Sequence, residues 1–207
     1  MREYENSTKK KIREVALELI NKKEYGNVTL KEICEASGIN KHTFYYYFKS
    51  KDELLKGYYK IPCQLNSYDL ATIMTADSHV QQLWLLNKRF VDFIQKSGVS
   101  IVKQIVIKNL TDENIGTFKV NDERKEFLKL QIDITKKGQK KGEILNETRA
   151  DILVILLFQQ LHATAVRWCF KNGDFDFENV SRYFFEVILN VAPEYRKCKE
   201  IDADQLI

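Results

Sequence analysis

The chain has 207 residues, of which 44% are apolar and 30% charged, with two prolines and eight glycines. That balance describes a compact, soluble, helix-rich protein and excludes disordered, collagen-like and low-complexity states. The net charge of +4 is unevenly placed: residues 1–60 hold 13 Lys and Arg against 9 Asp and Glu, whereas residues 61–207 hold 20 of each. A basic head on a neutral body fits a polyanion-binding module joined to something else. The longest wholly apolar stretch, 152–158, is too short to cross a bilayer, so no membrane association is expected. Charges at Arg2, Glu3 and Glu5 stand where a signal peptide would need an apolar run, which makes the expected compartment the cytoplasm. Cys34, Cys63, Cys169 and Cys198 are scattered, as are His42, His79 and His162, so no metal-ligand spacing exists and the cysteines read as ordinary thiols.

Apolar residues recur at helical spacing nearly throughout, which predicts an all-α fold. A first helix is expected over 8–23, with Ile12, Val15, Ala16, Leu19 and Ile20 on one stripe and Tyr25-Gly26-Asn27 after it. Thr29-Leu30-Lys31-Glu32 then fits a capping box, in which a hydroxyl and a carboxylate satisfy the free amides of a helix start. Val28 and Ile33 sit at the positions of a hydrophobic staple around that cap. The short helix stops at Gly38, and Ile39 alone separates it from a new N-cap at Asn40, where Ile39 and Phe44 repeat the staple spacing. Ser50-Lys51-Asp52-Glu53 offers another capping box and a fourth helix, which Pro62 should kink or end. Further helices are expected near 64–75, 79–96, 99–109, 123–141, 148–171 and 176–192, punctuated by Gly98, Gly116, Gly142 and Gly173. The stretch 150–170 is apolar almost all round and should be buried on most sides.

Two short helices joined by a tight Gly-containing turn, over about 29–49, have the layout of a helix-turn-helix. Ile33, Ile39, Phe44 and Phe48 fall where two crossed helices must touch, and Cys34 is small at the close approach. On a wheel of about 100° per residue, Phe44 and Phe48 mark the core side of the second helix. His42, Tyr45, Tyr46 and Lys49 then face away, flanked by Lys41 and Tyr47, with Thr43 between Tyr46 and Tyr47. Tyrosines and a histidine on an outer face bring polar tips on rigid bodies, suited to base edges, thymine methyls and phosphates. The free amides near Thr29 and Ser50 are natural phosphate sites, and Lys51 is placed to clamp a phosphate.

The run 28–55, above all Thr43-Phe-Tyr-Tyr-Tyr-Phe-Lys-Ser-Lys-Asp-Glu-Leu54, closely resembles the DNA-binding domain of the tetracycline-repressor (TetR) family, with a good match over 8–60. The resemblance implies an all-helical homodimer with a three-helix head (1–60) and a helical ligand-binding and dimerisation domain (61–207). The head would read the major groove of a double-stranded operator, a fourth helix would link it to the second domain, and the last two helices would pair across the dimer axis. Carried over by position, Lys31, Lys41, His42 and Tyr45 become base-edge candidates, and Thr29, Thr43, Tyr46, Tyr47 and Lys51 phosphate candidates. The chain departs from the pattern at His42, where relatives often carry a small residue or Pro.

For the rest of the chain the residues argue alone. The helices near 148–171 and 176–192 resemble the dimerising pair and would make a four-helix interface with a second copy. Trp84, Phe90, Phe93, Phe118, Phe127, Gln131, Gln159, Gln160 and His162 are candidate lining residues of an effector pocket, the polar ones because a polar group on an apolar helix needs a partner. A moderately sized, largely apolar or aromatic small-molecule effector is expected, and no cofactor. Its binding would alter the separation of the two heads and release a palindromic operator, which makes the protein a ligand-responsive repressor. No phosphate-cradling glycine loop and no nucleophile or metalloprotease motif supports an enzyme. The competing reading is a helical interaction protein of the same fold without specific DNA binding or ligand control.

Overall fold

The structure, a computed structural model, describes residues 7–59, 63–111 and 122–201. Its elements are α1 (Ser7–Lys23), α2 (Leu30–Ser37), α3 (Lys41–Tyr47), a 3₁₀ run (Lys51–Tyr59), α4 (Ser67–Met74), α5 (His79–Ser97), α6 (Val99–Thr111), α7 (Asp122–Lys140), α8 (Ala150–Phe170) and α9 (Phe177–Leu189). The expected all-α class is observed, and the α-helices lie within a few residues of their expected bounds. They form two compact units: one holds α1, α2, α3, the 3₁₀ run and α6, and the other holds α4, α5, α7, α8 and α9.

In the first unit, Ile12, Ala16 and Ile20 of α1 are fully buried with Ile33 of α2 and Phe44 of α3, and Phe48 is 1% exposed. The local signals for α2 and α3 act as the sequence suggests. Thr29 Oγ1 accepts from the Glu32 amide at 3.2 Å while Glu32 Oε2 accepts from the Thr29 amide at 2.8 Å. Gly38 ends α2 at φ +69°, a left-handed conformation that a residue with a Cβ rarely adopts. Asn40 Oδ1 then accepts from the Thr43 amide at 2.8 Å and starts α3.

Two departures from expectation lie here. The expected fourth helix is a 3₁₀ run, Lys51–Tyr59, followed by a separate α4. Half of the expected capping box forms: Ser50 Oγ accepts from the Glu53 amide at 3.3 Å, while Glu53 Oε2 accepts from the Lys49 amide at 2.6 Å and not from that of Ser50. Gly57 within the run lowers α-helical propensity. The second departure concerns α6, expected in the second domain yet part of the first unit. Its Ile101, Val102 and Ile105 are buried, and it packs on α1 and the 3₁₀ run. Lys108 reaches Asp52 at 2.6 Å and Lys103 reaches Glu24 at 3.5 Å.

The second unit is built on α8, packed against α7 and α9. Leu153, Val154 and Leu157 of α8 are buried with Phe177, Val180, Phe185 and Leu189 of α9. Trp168 meets Phe177 at 5.5 Å between ring centroids, and Trp84 of α5 meets Phe185 edge-on at 5.3 Å. Burial of α8 is one-sided, against the expectation of burial on most sides: Ile152, Ile155 and Leu156 are 40–48% exposed and Phe170 81%. As a whole helix, α8 is long and apolar enough to pass for a membrane span, although 44% of its most apolar window is buried within the protein.

Buried Glu143, between α7 and α8, caps the start of α5. Its Oε2 accepts from the His79 and Val80 amides at 2.6 and 3.1 Å, and its Oε1 lies 3.0 Å from His79 Nδ1. Removing that carboxylate leaves orphaned amides in a buried place. Glu143→Ala should therefore lower the free energy of urea unfolding by about 2–4 kcal/mol, whereas the exposed Glu147→Ala should stay within about 0.5 kcal/mol.

Candidate nucleic-acid interface and effector slot

Phe44 and Phe48 fix the rotation of α3, their rings 5.5 Å apart on the core side. The cations of Lys9 and Arg13 on α1 both lie 5.7 Å from the Phe48 ring centroid. The opposite face is therefore turned outward: Tyr45 and Tyr46 are 56% and 79% exposed, and Lys41, His42 and Lys49 are exposed beside them. Tyr47 is half-buried, its ring edge-on to Tyr46 at 4.9 Å. Lys31 on α2 is exposed, with its ammonium 3.8 Å from Glu35. No acidic residue occurs in α3.

Thr29 and Thr43 lie at the starts of α2 and α3, with their hydroxyls already engaged. Thr29 Oγ1 donates to Glu32 at 2.8 Å and Thr43 Oγ1 donates to Asn40 at 3.1 Å. Lys51 is not a projecting clamp. Its ammonium donates to the Tyr25 and Val28 carbonyls at 2.7 and 2.8 Å and sits 4.0 Å from the Tyr25 ring centroid. Burial pushes its pKa below the usual lysine value, and Asp52 opposes that shift. Tyr25 also donates its hydroxyl to Asp52, the residue that Lys108 of α6 holds. The sequence pattern gave no sign of this chain from α6 to the start of α2. Nearby, the Lys23 ammonium at 2.7 Å, with the Thr29 amide and hydroxyl, holds the Glu32 carboxyl down to about 2.

The candidate lining residues do not share one place. Phe90, Phe127 and Gln131 come together in a narrow slot between α5, α7 and α8, with Cys63, Asn87, Arg124, Leu128, Val154, Phe158 and Leu161. The slot is nearly closed, with about 10 Å³ open to a water-sized sphere, or room for one water. Phe90 meets Phe127 at 5.8 Å and Phe158 at 6.1 Å, and the Arg124 guanidinium lies 4.4 Å from the Phe158 ring centroid. Gln131 is 6% exposed and Asn87 7%. Asn87 Nδ2 donates to the Leu83 carbonyl at 2.8 Å. The Gln131 backbone carbonyl accepts from Thr135 Oγ1 at 2.8 Å.

The remaining candidates lie elsewhere. Phe93 lines an open groove of about 460 Å³ between α4 and α5, with Tyr68, Lys88 and Lys96. Trp84 lines a different groove, of about 340 Å³, beneath the guanidinium of Arg182 at 4.8 Å. Gln159 is exposed, and Gln160 donates to Thr164 at 2.6 Å. His162 stands beside the slot, its ring 4.2 Å from Phe158 and its Nδ1 2.8 Å from the Phe158 carbonyl. Phe118 lies outside the described residues. Arg124 and Asn87 went unnoticed in the sequence, though Asn87 interrupts the stripe Leu83, Leu86, Phe90 and Val91, where a polar residue signals a special environment.

An outward-facing aromatic and cationic recognition helix on a capped helix pair, with a separate helical unit bearing a polar-studded apolar slot, defines a helix-turn-helix DNA-binding regulator. Comparison with known proteins gives the family. A model described as bacterial regulatory proteins, tetR family, matches residues 12–58, and one described as YsiA-like protein, C-terminal region, matches residues 64–191. The chain belongs to the tetR family of bacterial regulatory proteins and is a DNA-binding transcriptional regulator. It is 25% identical over 169 residues to the HTH-type transcriptional repressor KstR2 of Rhodococcus jostii, which covers 78% of this chain and 79% of the relative. Among solved structures, the fatty acid degradation regulator FadR of Bacillus halodurans aligns over 94% of this chain and 100% of its own at 18% identity, with a TM-score of 0.61. FadR of Bacillus subtilis in complex with stearoyl-CoA aligns over 87% and 97% at 18% identity, with a TM-score of 0.53. These two likenesses concern the fold.

The slot has a pH signature. Burial pushes the His162 imidazole below its usual 6.5; the Phe158 carbonyl opposes this and the positive charge of Arg124 adds to it. The unfolded chain therefore takes up a proton below pH 6.5 that the folded chain refuses, so stability falls as pH drops through that value. Urea unfolding of the wild type should lose more stability between about pH 7.5 and about pH 5.5 than that of His162→Phe, which lacks this proton. Equal losses would contradict the assignment.

Proposed function

We propose that the protein is a repressor: a homodimer that holds a palindromic operator with two copies of α3 and releases it when a small-molecule effector enters the slot between α5, α7 and α8. The observation that carries this reading is the outer face of α3, where Tyr45 and Tyr46 are 56% and 79% exposed on a helix whose opposite face is locked in the core. These rings meet the protein only at their edges, Tyr45 at Phe44 and Tyr46 at Tyr47, and leave most of their surface in solvent, where base edges, thymine methyls and phosphates suit them. Lys31, Lys41, His42 and Tyr45 are assigned to base edges, and Thr29, Thr43, Tyr46 and Tyr47 to phosphates. Lys51 contributes a positive charge fixed beside the start of α2 rather than a free clamp. A regulator of this kind acts where the DNA is, in the cytoplasm.

The dimer is assigned to α8 and α9. Ile152, Ile155, Leu156, Gln159, Ala163 and Phe170 are exposed on α8. At about 100° per residue they fall on one stripe, and Val187 of α9 is 56% exposed. An uncovered apolar stripe beside a second uncovered apolar residue suits an isologous contact with the same face of another copy. The repressor name of KstR2 supports the sign of regulation. The stearoyl-CoA complex of the Bacillus subtilis neighbour supports a largely apolar effector.

Selection from a randomised duplex pool tests the DNA reading. An inverted repeat should emerge, bound about a thousandfold tighter than scrambled DNA and weakened at least tenfold by Tyr45→Ala. Failure to enrich a repeat would favour an interaction protein. For the interface, Ile155→Glu should shift sedimentation from dimer to monomer and weaken operator binding with it, whereas a dimer of unchanged stability would remove the α8 assignment.

A further inference from the structure

A different place in the second unit holds a buried cation whose hydrogen bonding is incomplete. Along the first two turns of α9 runs an open groove of about 340 Å³, lined also by Gln81 and Trp84 of α5 and by the segment that follows α9. That segment is tied to α9: Glu186 Oε1 accepts from the Lys197 and Cys198 amides at 2.8 and 3.2 Å, and Asn179 Oδ1 accepts from the Lys199 amide at 2.9 Å. Arg182 lines the groove and is 4% exposed, its guanidinium carbon 4.8 Å from the Trp84 ring centroid. Its Nε donates to Glu186, and its Nη1 reaches Gln81 Oε1 at 3.5 Å, beyond the usual length of a hydrogen bond. Its Nη2 is buried and has no partner. A charged donor in that condition is costly to keep, and an acceptor placed in the groove relieves the cost.

We infer that this groove is a second ligand site, for a compact oxyanion of the carboxylate or phosphate class, with two of its oxygens on Arg182 Nη1 and Nη2. The planar fork of a guanidinium matches two oxygens of one anion, and such charge-assisted pairs are stronger than the long Gln81 contact they displace. The fork is set before the ligand arrives, because Glu186 holds Nε and Trp84 lies against the guanidinium. Lys197 and Lys199 bring two more cations to the same groove. The acidic residues of its lining are already in use: Glu178 pairs with Lys88 at 3.0 Å, and Asp176 Oδ1 caps α9 by accepting from the Asn179 amide at 3.0 Å. The positive end of the α9 dipole also favours an anion there. An occupied groove joins α5, α9 and the segment after α9. It shares no residue with the slot between α5, α7 and α8, so it stands apart from the effector reading.

Trp84 supplies the readout. The full-length chain has two tryptophans, so Trp168→Phe leaves Trp84 as the single emitter. Its fluorescence is titrated with acetate and with inorganic phosphate, at ionic strength held constant by sodium chloride. A saturable change is expected with at least one of the two anions. Saturation by phosphate alone assigns the site to a phosphoryl group, and saturation by acetate assigns it to a carboxylate. Added to this background, Arg182→Lys keeps the charge beside Glu186 but lacks the fork, and should weaken binding at least tenfold. Gln81→Ala removes the competing carboxamide and should tighten binding at least twofold. Lys197→Gln with Lys199→Gln should weaken it at least threefold, and the last two tests stand even if Arg182→Lys fails to fold by far-UV circular dichroism. A response linear in both anions would overturn the site, and so would a saturable one that the Arg182, Gln81 and lysine variants all leave unchanged.

Discussion

The orientation of α3 depends on two phenylalanines one helical turn apart. Phe44 is fully buried and Phe48 is 1% exposed, and together they leave α3 no freedom to rotate about its axis. Everything on the recognition surface follows from that constraint, because a helix whose inner face is fixed has its outer face fixed too. Tyr45 and Tyr46, next along the chain from Phe44, are thereby held out in solvent. Removing the Phe44 ring would cost about 3–5 kcal/mol in stability and would also free α3 to turn its tyrosines elsewhere. Capping serves the same end: Thr29 with Glu32, Gly38 and Asn40 set where α2 stops and α3 begins, and with it the angle of the recognition helix.

The second unit works on a different principle, in which polar residues are set into apolar stripes. Asn87 and Gln131 sit where leucine or isoleucine would pack better, and the slot they line is nearly closed. Such residues add little to stability, and their place in an otherwise apolar wall supports the proposed effector site. The one-sided burial of α8 is a second departure from a self-sufficient core. Its outward stripe completes its burial in the proposed dimer, which ties the folding of the unit to association.

Much of this was legible in the sequence, and the division between what was and was not is physical. Caps, staples and the Gly38 turn act over three to six residues, so α2 and α3 could be placed from local pattern alone. The same locality gave the rotation of α3, since Phe44 and Phe48 share one side of any helical wheel. Tertiary allegiance was not legible. The stripe Ile101, Val102 and Ile105 says that α6 packs on something, and nothing in it says that the partner is α1. Lys51 read as a free cation because the carbonyls of Tyr25 and Val28 that take it are brought close by a turn more than twenty residues earlier. The slot was half legible: Phe90, Phe127 and Gln131 were named with Trp84 and Phe93, which periodicity could not separate because all five share an amphipathic pattern while lining three different places.

The central claim is that the outward face of α3 reads the major groove, twice, on a two-fold dimer. Methylation interference on the operator tests it most directly, because methyl groups at guanine N7 project into the major groove and those at adenine N3 into the minor groove. The account predicts that N7 methylation blocks binding at two symmetry-related clusters, centred about one helical turn or a multiple of it apart, while N3 methylation inside those clusters is tolerated. Interference confined to N3, or a single N7 cluster with no symmetry mate, would contradict it.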